Sequence, residues 1–225
     1  MKFKKAFTLA EVLTVIGIIG VVAALTLPNL NQNTNNKEYV VALKKTAANI
    51  QKALDLAKEQ YGDYDTWFVG DSTVAAKSTR LGNRLADFLS TTLNCGLDSN
   101  KGCFARENML AISGGSRTSY DKNTSLYKYV LKDGVSVGFY NNSTIYVDVD
   151  GPHKGYNTLG IDIFAFPVTS EGNLSYSMNL ASFNNTFLSS CKGGTEMNCT
   201  AWAMTFDNIG YTKCSDLSYS KTTCK

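Results

Sequence analysis

The sequence predicts an α+β fold: a long N-terminal helix, with a membrane half and an amphipathic half, packed against a small antiparallel β-sheet head and followed by a disulfide-rich C-terminal region. Three observations carry this. An apolar run from Phe7 to Leu27 continues past Pro28 as apolar residues at helical spacing. Between Tyr127 and Phe166, short runs rich in β-branched and aromatic residues alternate with Asp, Asn and Gly turn signals. All six cysteines lie after residue 90.

Composition narrows the function before any motif is read. The chain has 225 residues, 44% of them hydrophobic, too apolar for a disordered chain and long enough for one large or two small domains. A single histidine leaves little material for histidine-based metal or triad chemistry, so an enzyme is not expected. The net charge of +3 sits at one end: with Lys2, Lys4 and Lys5 set aside, basic and acidic residues balance at 19 each. The body therefore has no overall basic bias towards nucleic acid.

The first helix is justified by its composition. Phe7 to Leu27 is 21 residues with one charge, Glu11, and a helix of that length spans roughly 30 Å, about one hydrocarbon core. Lysines precede it and none follows until Lys37, which predicts a cytoplasmic N-terminus and everything after Pro28 outside. The segment suits a secretory signal cut after Val22-Ala23-Ala24, a plain anchor, or a leader of a third kind. Glu11 separates these: a carboxylate in an apolar segment costs a few kcal/mol unless neutralised, and neither a signal nor an anchor gains from it.

Lys4-Lys5-Ala6-Phe7-Thr8-Leu9-Ala10-Glu11, the unbroken apolar run Val12–Leu27 and Pro28 resemble the N-terminus of type IV pilins and the pseudopilins of type II secretion. The resemblance implies leader cleavage between Ala6 and Phe7 and N-methylation of Phe7. It also implies assembly through Phe7, Glu11 and Pro28. Ala6 departs from the glycine that usually precedes the cut. In a filament, the Phe7 amine of one subunit would pair with Glu11 of a neighbour, and a buried half-pair is destabilising, which makes the contact a register device. The alternative places Glu11 among lipid headgroups. Gly17 and Gly20 serve close helix approach in a filament core, or are merely tolerated in a membrane helix.

Past Pro28, where a lost backbone donor predicts a kink, Val40, Leu43, Ala47, Ile50, Leu54 and Ala57 form one stripe, and Gly62 ends the helix near Gln60. Residues 62–123 read as a connecting region with a short amphipathic helix through Leu81, Leu85, Phe88, Leu89 and Leu93, ending near Cys95. Ser113-Gly114-Gly115-Ser116 is a flexible loop without a lysine at phosphate-loop spacing. Three to four antiparallel strands follow: Tyr127–Leu131, Val135–Tyr140 after Asp133-Gly134, Thr144–Val149, and Ile161–Phe166. They are expected to hide one sheet face against the helix. Val147–Pro152 and Gly160–Phe164 also resemble the sheet region of pseudopilins and Gram-negative-type pilins.

Six cysteines in an exported, loop-rich region read as three disulfides. Cys95–Cys103 is the local pairing. A hairpin of Trp202–Phe206 and Ile209–Thr212 about Asp207-Asn208 favours Cys199–Cys214 with Cys191–Cys224; Cys191–Cys199 with Cys214–Cys224 competes. No Cys-x-x-Cys spacing supports zinc. Asp148, Asp150, Asn157 and Asp162 are candidate calcium ligands, a hard-oxygen set of the kind some pseudopilins use, although Asp-x-Asp-Gly is also ordinary turn chemistry. No other cofactor is expected. His153 is expected in an exposed loop.

The expected organisation is a leader over 1–6, a transmembrane or filament-core helix over 7–28, its amphipathic continuation over 29–61, the connecting region over 62–123, the sheet over 124–182 and the disulfide-bonded region over 183–225. The expected role is a structural, minor prepilin-like subunit of a type IV pilus or type II secretion pseudopilus. Its expected partners are other pilin or pseudopilin subunits, a prepilin peptidase, an inner-membrane platform and a cytoplasmic ATPase; nucleic acid is not expected. It would reside single-pass in the inner membrane and then in an extracytoplasmic filament. The competing role is an adhesin or ligand-binding module, DNA uptake included, displayed on such a filament or on the membrane.

Overall fold

Helix α1 runs from Leu9 to Tyr61 in a computed structural model that describes residues 8–176 and 185–224, side chains of 23–35, 185 and 186 excepted. Its helical backbone continues through position 28, and the Pro28 side chain lies outside the described residues. Gly62 ends it as expected, with φ at +81° and its N–H on the Lys58 carbonyl at 2.9 Å. Residues from Tyr39 onward form one compact unit, residues up to Glu38 another. In the larger unit the stripe Val40, Leu43, Ala47, Ile50, Leu54 and Ala57 is buried, together with Ala53. It shares a core with Trp67, Leu81, Leu85, Val137, Phe139, Val147, Phe164 and Trp202.

A second helix, α2, spans Val74–Ala86, started by Thr73, whose side chain accepts from the Ala76 N–H. Leu81 and Leu85 lie on its buried face, but the helix stops before Asp87 instead of running on to Cys95. The expected continuation through Leu93 is corrected: Thr91–Gly96 is strand β1. The apolar spacing from 81 to 93 fits a helix, and pairing with a neighbouring strand overrides it.

The sheet is larger than expected and mixed. Among the described residues it has eight strands in the order β1-β4-β5-β6-β8-β7-β2-β3. These are β1, β2 (Met109–Ala111), β3 (Ser116–Arg117), β4 (Leu126–Leu131), β5 (Ser136–Tyr140), β6 (Thr144–Asp148), β7 (Thr158–Leu159) and β8 (Ile163–Pro167). The four strands expected from sequence, β4, β5, β6 and β8, form its antiparallel centre. Parallel pairing enters where β7 meets β8 and β2. The connecting region 62–123 thus supplies both ends of the sheet.

Both faces of the central strands are covered, not one. On β4, Tyr127, Tyr129 and Leu131 join the helix-side core, while Leu126 and Val130 join a second cluster with Cys95, Cys103 and Phe104. Lys128 lies on that second face, wholly buried, its ammonium donating to the carbonyls of Asp121 and Asn123 at 3.0 Å each. Burial pushes its pKa down and the charge of Asp121 opposes that.

The C-terminal region folds as two helices, α3 (Asn185–Lys192) and α4 (Glu196–Phe206). The hairpin expected there is corrected: Trp202–Phe206 is helical and Gly210–Thr212 is a 3-10 turn. The turn signal at Asp207 is real but closes a helix, Asp207 taking the left-handed conformation at φ 57°. Thr200 of α4 accepts the Ala165 N–H of β8, so the helix satisfies a backbone donor of the sheet.

Three disulfides close the fold: Cys95–Cys103, Cys191–Cys199 and Cys214–Cys224. The favoured Cys199–Cys214 and Cys191–Cys224 pairs are therefore corrected. With Cys199 in the first turn of α4, its near neighbour is Cys191 at the end of α3; no hairpin carries it towards Cys214.

Candidate functional site

The N-terminal segment begins with a local device. Thr8 is the N-cap of α1 and Glu11 its third residue: Glu11 Oε2 accepts from the Thr8 N–H at 2.9 Å and from its hydroxyl at 2.8 Å, and the Glu11 N–H donates to Thr8 Oγ1 at 3.3 Å. This is a capping box, and the Thr-x-x-Glu spacing that signals it is legible in the sequence, though the expectation for Glu11 did not use it. Oε1 receives no hydrogen bond from a described residue. Thr14 returns its hydroxyl to the Ala10 carbonyl, which satisfies it within the helix. Ala6 and Phe7, expected to carry cleavage and N-methylation, lie outside the described residues.

From Leu9 to Val22 the segment presents apolar side chains on every side. Leu9, Val12, Leu13, Val15, Ile16, Ile18, Ile19, Val21 and Val22 are all exposed. Among the described residues, a Cβ at Gly17 or Gly20 would meet nothing within 4 Å. Among the described residues, no helix is long and apolar enough to cross a membrane.

The acidic loop is the second candidate. The structure brings together Asp148, Asp150 and Asp162, ahead of and behind the 151–160 loop. Asp162 accepts the N–H groups of Tyr156, Asn157 and Thr158 at 2.6, 2.7 and 2.7 Å. Asp148 accepts from Gly151 at 3.1 Å, with Asp150 beside it, and Tyr39 of α1 lies close enough for the charge of Asp150 to raise its pKa. Gly155 permits this approach: a Cβ there would lie 2.0 Å from Asp150 Oδ2 and 2.5 Å from Asp162 Oδ2. Asn157 does not join them; its amide donates to the carbonyls of Glu107 and Asn108 at 3.2 Å. His153 is exposed, as expected.

Burial raises the Asp148 carboxyl well above the ordinary range, and the hydrogen bond with Asp150 and the charge of Asp162 add to it. Burial pushes Asp162 up to about 6 against the N–H groups that pull it down, with Asp150 adding repulsion. The cluster is thus held by backbone donors. Asp150 Oδ1 is buried without a hydrogen-bond partner among the described residues. Among the described residues, no group of three or more His, Cys, Asp or Glu is placed to hold a metal ion. The loop is a folded turn anchored on Asp162.

The part played by Tyr39 had no signal in the sequence, since α1 and the loop lie more than a hundred residues apart in the chain. Comparison of the chain with family models, with curated proteins and with solved structures finds no match in any of the three.

Proposed function

We propose that the chain is a structural, minor subunit of a type IV filament or type II secretion pseudopilus, held in the inner membrane by residues 7–28 until it is assembled. The observation that carries the reading is the exposed apolar surface from Leu9 to Val22, broken by one carboxylate, Glu11, in the first turn. A helix apolar on all sides needs lipid or other helices around it.

In this reading a prepilin peptidase cuts between Ala6 and Phe7, and the new amine is methylated. Glu11 holds Thr8 through Oε2 and offers Oε1 to the Phe7 amine of a neighbouring subunit. Gly17 and Gly20, whose Cβ positions meet no described residue, allow helices to approach in the filament core. The chain carries no phosphate-loop motif, so the motor, a cytoplasmic ATPase, and the membrane platform are partner proteins.

The test is the intact mass and N-terminal sequence of the native protein recovered from membranes. A chain that starts at N-methylated Phe7 is expected. A start at Leu25 or an uncut Met1 overturns the reading.

A further inference from the structure

A cavity of about 560 Å³ opens beside α2, lined among others by Tyr61, Arg80, Asn83, Arg84 and Leu97. That is the volume of a small-molecule site, and its lining mixes apolar walls with a few polar groups. Its cations are set in different ways. Arg80 is locked by Asp71, which takes its Nε at 2.5 Å and its Nη2 at 2.9 Å. Arg84 has no such partner. Its guanidinium lies 4.9 Å from the ring centres of both Tyr61 and Trp67, and it makes no hydrogen bond with a described residue. Nη1 is buried without an acceptor.

The two rings hold the fork in place without occupying its donors, and an unpaired guanidinium in a half-buried site is costly unless an anion meets it. Burial and the charge of Arg80 both lower the Arg84 pKa, the direction expected of a cation short of negative charge. Asn83, the preceding residue on the helix, has its amide oxygen occupied by the Tyr127 hydroxyl at 2.8 Å, and its NH₂ group makes no hydrogen bond with a described residue. The cavity therefore has donors in excess of acceptors.

We infer that this cavity binds a small carboxylate-bearing ligand of about the size of a sugar acid, with the Arg84 guanidinium as the carboxylate clamp and the Asn83 amide as a second donor. Arg80 and Asp71 form its fixed wall, and Tyr61 and Leu97 its apolar side. The site lies in the unit that starts at Tyr39 and does not depend on the filament reading.

The test titrates D-glucuronate, with D-glucose as the neutral counterpart, into ¹⁵N-labelled full-length chain in mild detergent. The readout is the Trp67 indole N–H, which donates to the Gly62 carbonyl at 2.8 Å and lies under Arg84. A saturable shift with glucuronate and none with glucose is expected. Arg84→Ala should weaken binding by about tenfold or more, and Arg84→Lys by several-fold, since lysine keeps the charge but loses the fork. Asn83→Ala, which leaves the stacked guanidinium in place, should weaken it by about threefold. No saturable shift, equal shifts with both sugars, or unchanged affinity in folded Arg84→Ala or Asn83→Ala overturns the inference.

Discussion

The two halves of α1 are built from similar residues and meet opposite fates. Ile16 and Ile19 are each 61% exposed, whereas Ile50 and Leu54 are fully buried. The difference is one of period. Apolar residues from Val40 to Ala57 recur at steps of three and four, so one stripe can be buried by a single sheet while Lys44, Lys45 and Lys52 stay off it. From Leu9 to Val22 they occupy every side, and no single packed layer can cover them. Apolarity alone does not say what a helix buries against; its arrangement around the axis does.

The largest test of this contrast is a pair of equal truncations. Ile50→Ala should cost the unit from Tyr39 onward about 2–5 kcal/mol in denaturant unfolding, because a cavity opens in a filled core. Ile16→Ala should change that stability by less than about 0.5 kcal/mol. A comparable loss from both would break the comparison.

Next in size is the C-terminal region, where short covalent loops support the helices. Replacing Cys191 and Cys199 together by serine removes a crosslink with a separation of eight residues and should cost about 2–3 kcal/mol, read as a lower thermal midpoint. Peptide mapping of the unreduced wild type should return Cys191–Cys199 and Cys214–Cys224, and no fragment joining Cys199 to Cys214.

The acidic loop gives a smaller effect with a definite sign. Asp148 and Asp162 have raised pKa values in the folded chain, Asp162 to about 6, against about 4 when unfolded. The folded state therefore binds more protons over that interval. Their contribution to stability is full below about pH 4 and falls as pH rises, that of Asp162 through about 6. Thermal midpoints from this source should rise on going from pH 7 to pH 5. Asp148→Asn, which imitates the protonated carboxyl, should keep or raise stability at pH 7 by about 1 kcal/mol and flatten the profile.

The smallest effect belongs to the start of α1. Thr8→Ala should speed amide exchange in the first turn by about fivefold and leave the melting of the larger unit unchanged. It also sharpens the reading of Glu11. If Glu11 served the cap alone, Thr8→Ala and Glu11→Ala would impair filament assembly equally. The proposed register role expects Glu11→Ala to abolish assembly and Thr8→Ala to reduce it mildly.

Much of the fold was legible in the sequence wherever a pattern was local. The stripe ending at Gly62, the hairpin at Asp133-Gly134 and the four central strands followed from periodicity and turn chemistry. Elements with weak local signals were not. β2, β3 and β7 are two or three residues long and exist through their pairing, and β1 is a strand because β4 lies beside it. Asp207-Asn208 announced a reversal, but a reversal closes a helix as well as a hairpin, and the wrong choice carried the disulfide pairing with it. Of the acidic set, three carboxylates do converge, while Asn157 turns its amide elsewhere. Arg84 had no signal at all: its stacking on Tyr61 and Trp67 depends on the end of α1 meeting α2.

By itself the sequence determined the α+β class, the length of α1, the centre of the sheet and the presence of three disulfides. These follow from side-chain period, glycine and turn residues and a cysteine count, all properties of short stretches of chain. Tertiary structure alone decided the mixed edges of the sheet, the burial of Lys128 beneath the 95–123 segment, the choice among cysteine partners and the raised pKa of Asp148. Each depends on desolvation or pairing between residues distant in the chain, and those energies arise only when the distant groups are brought into contact.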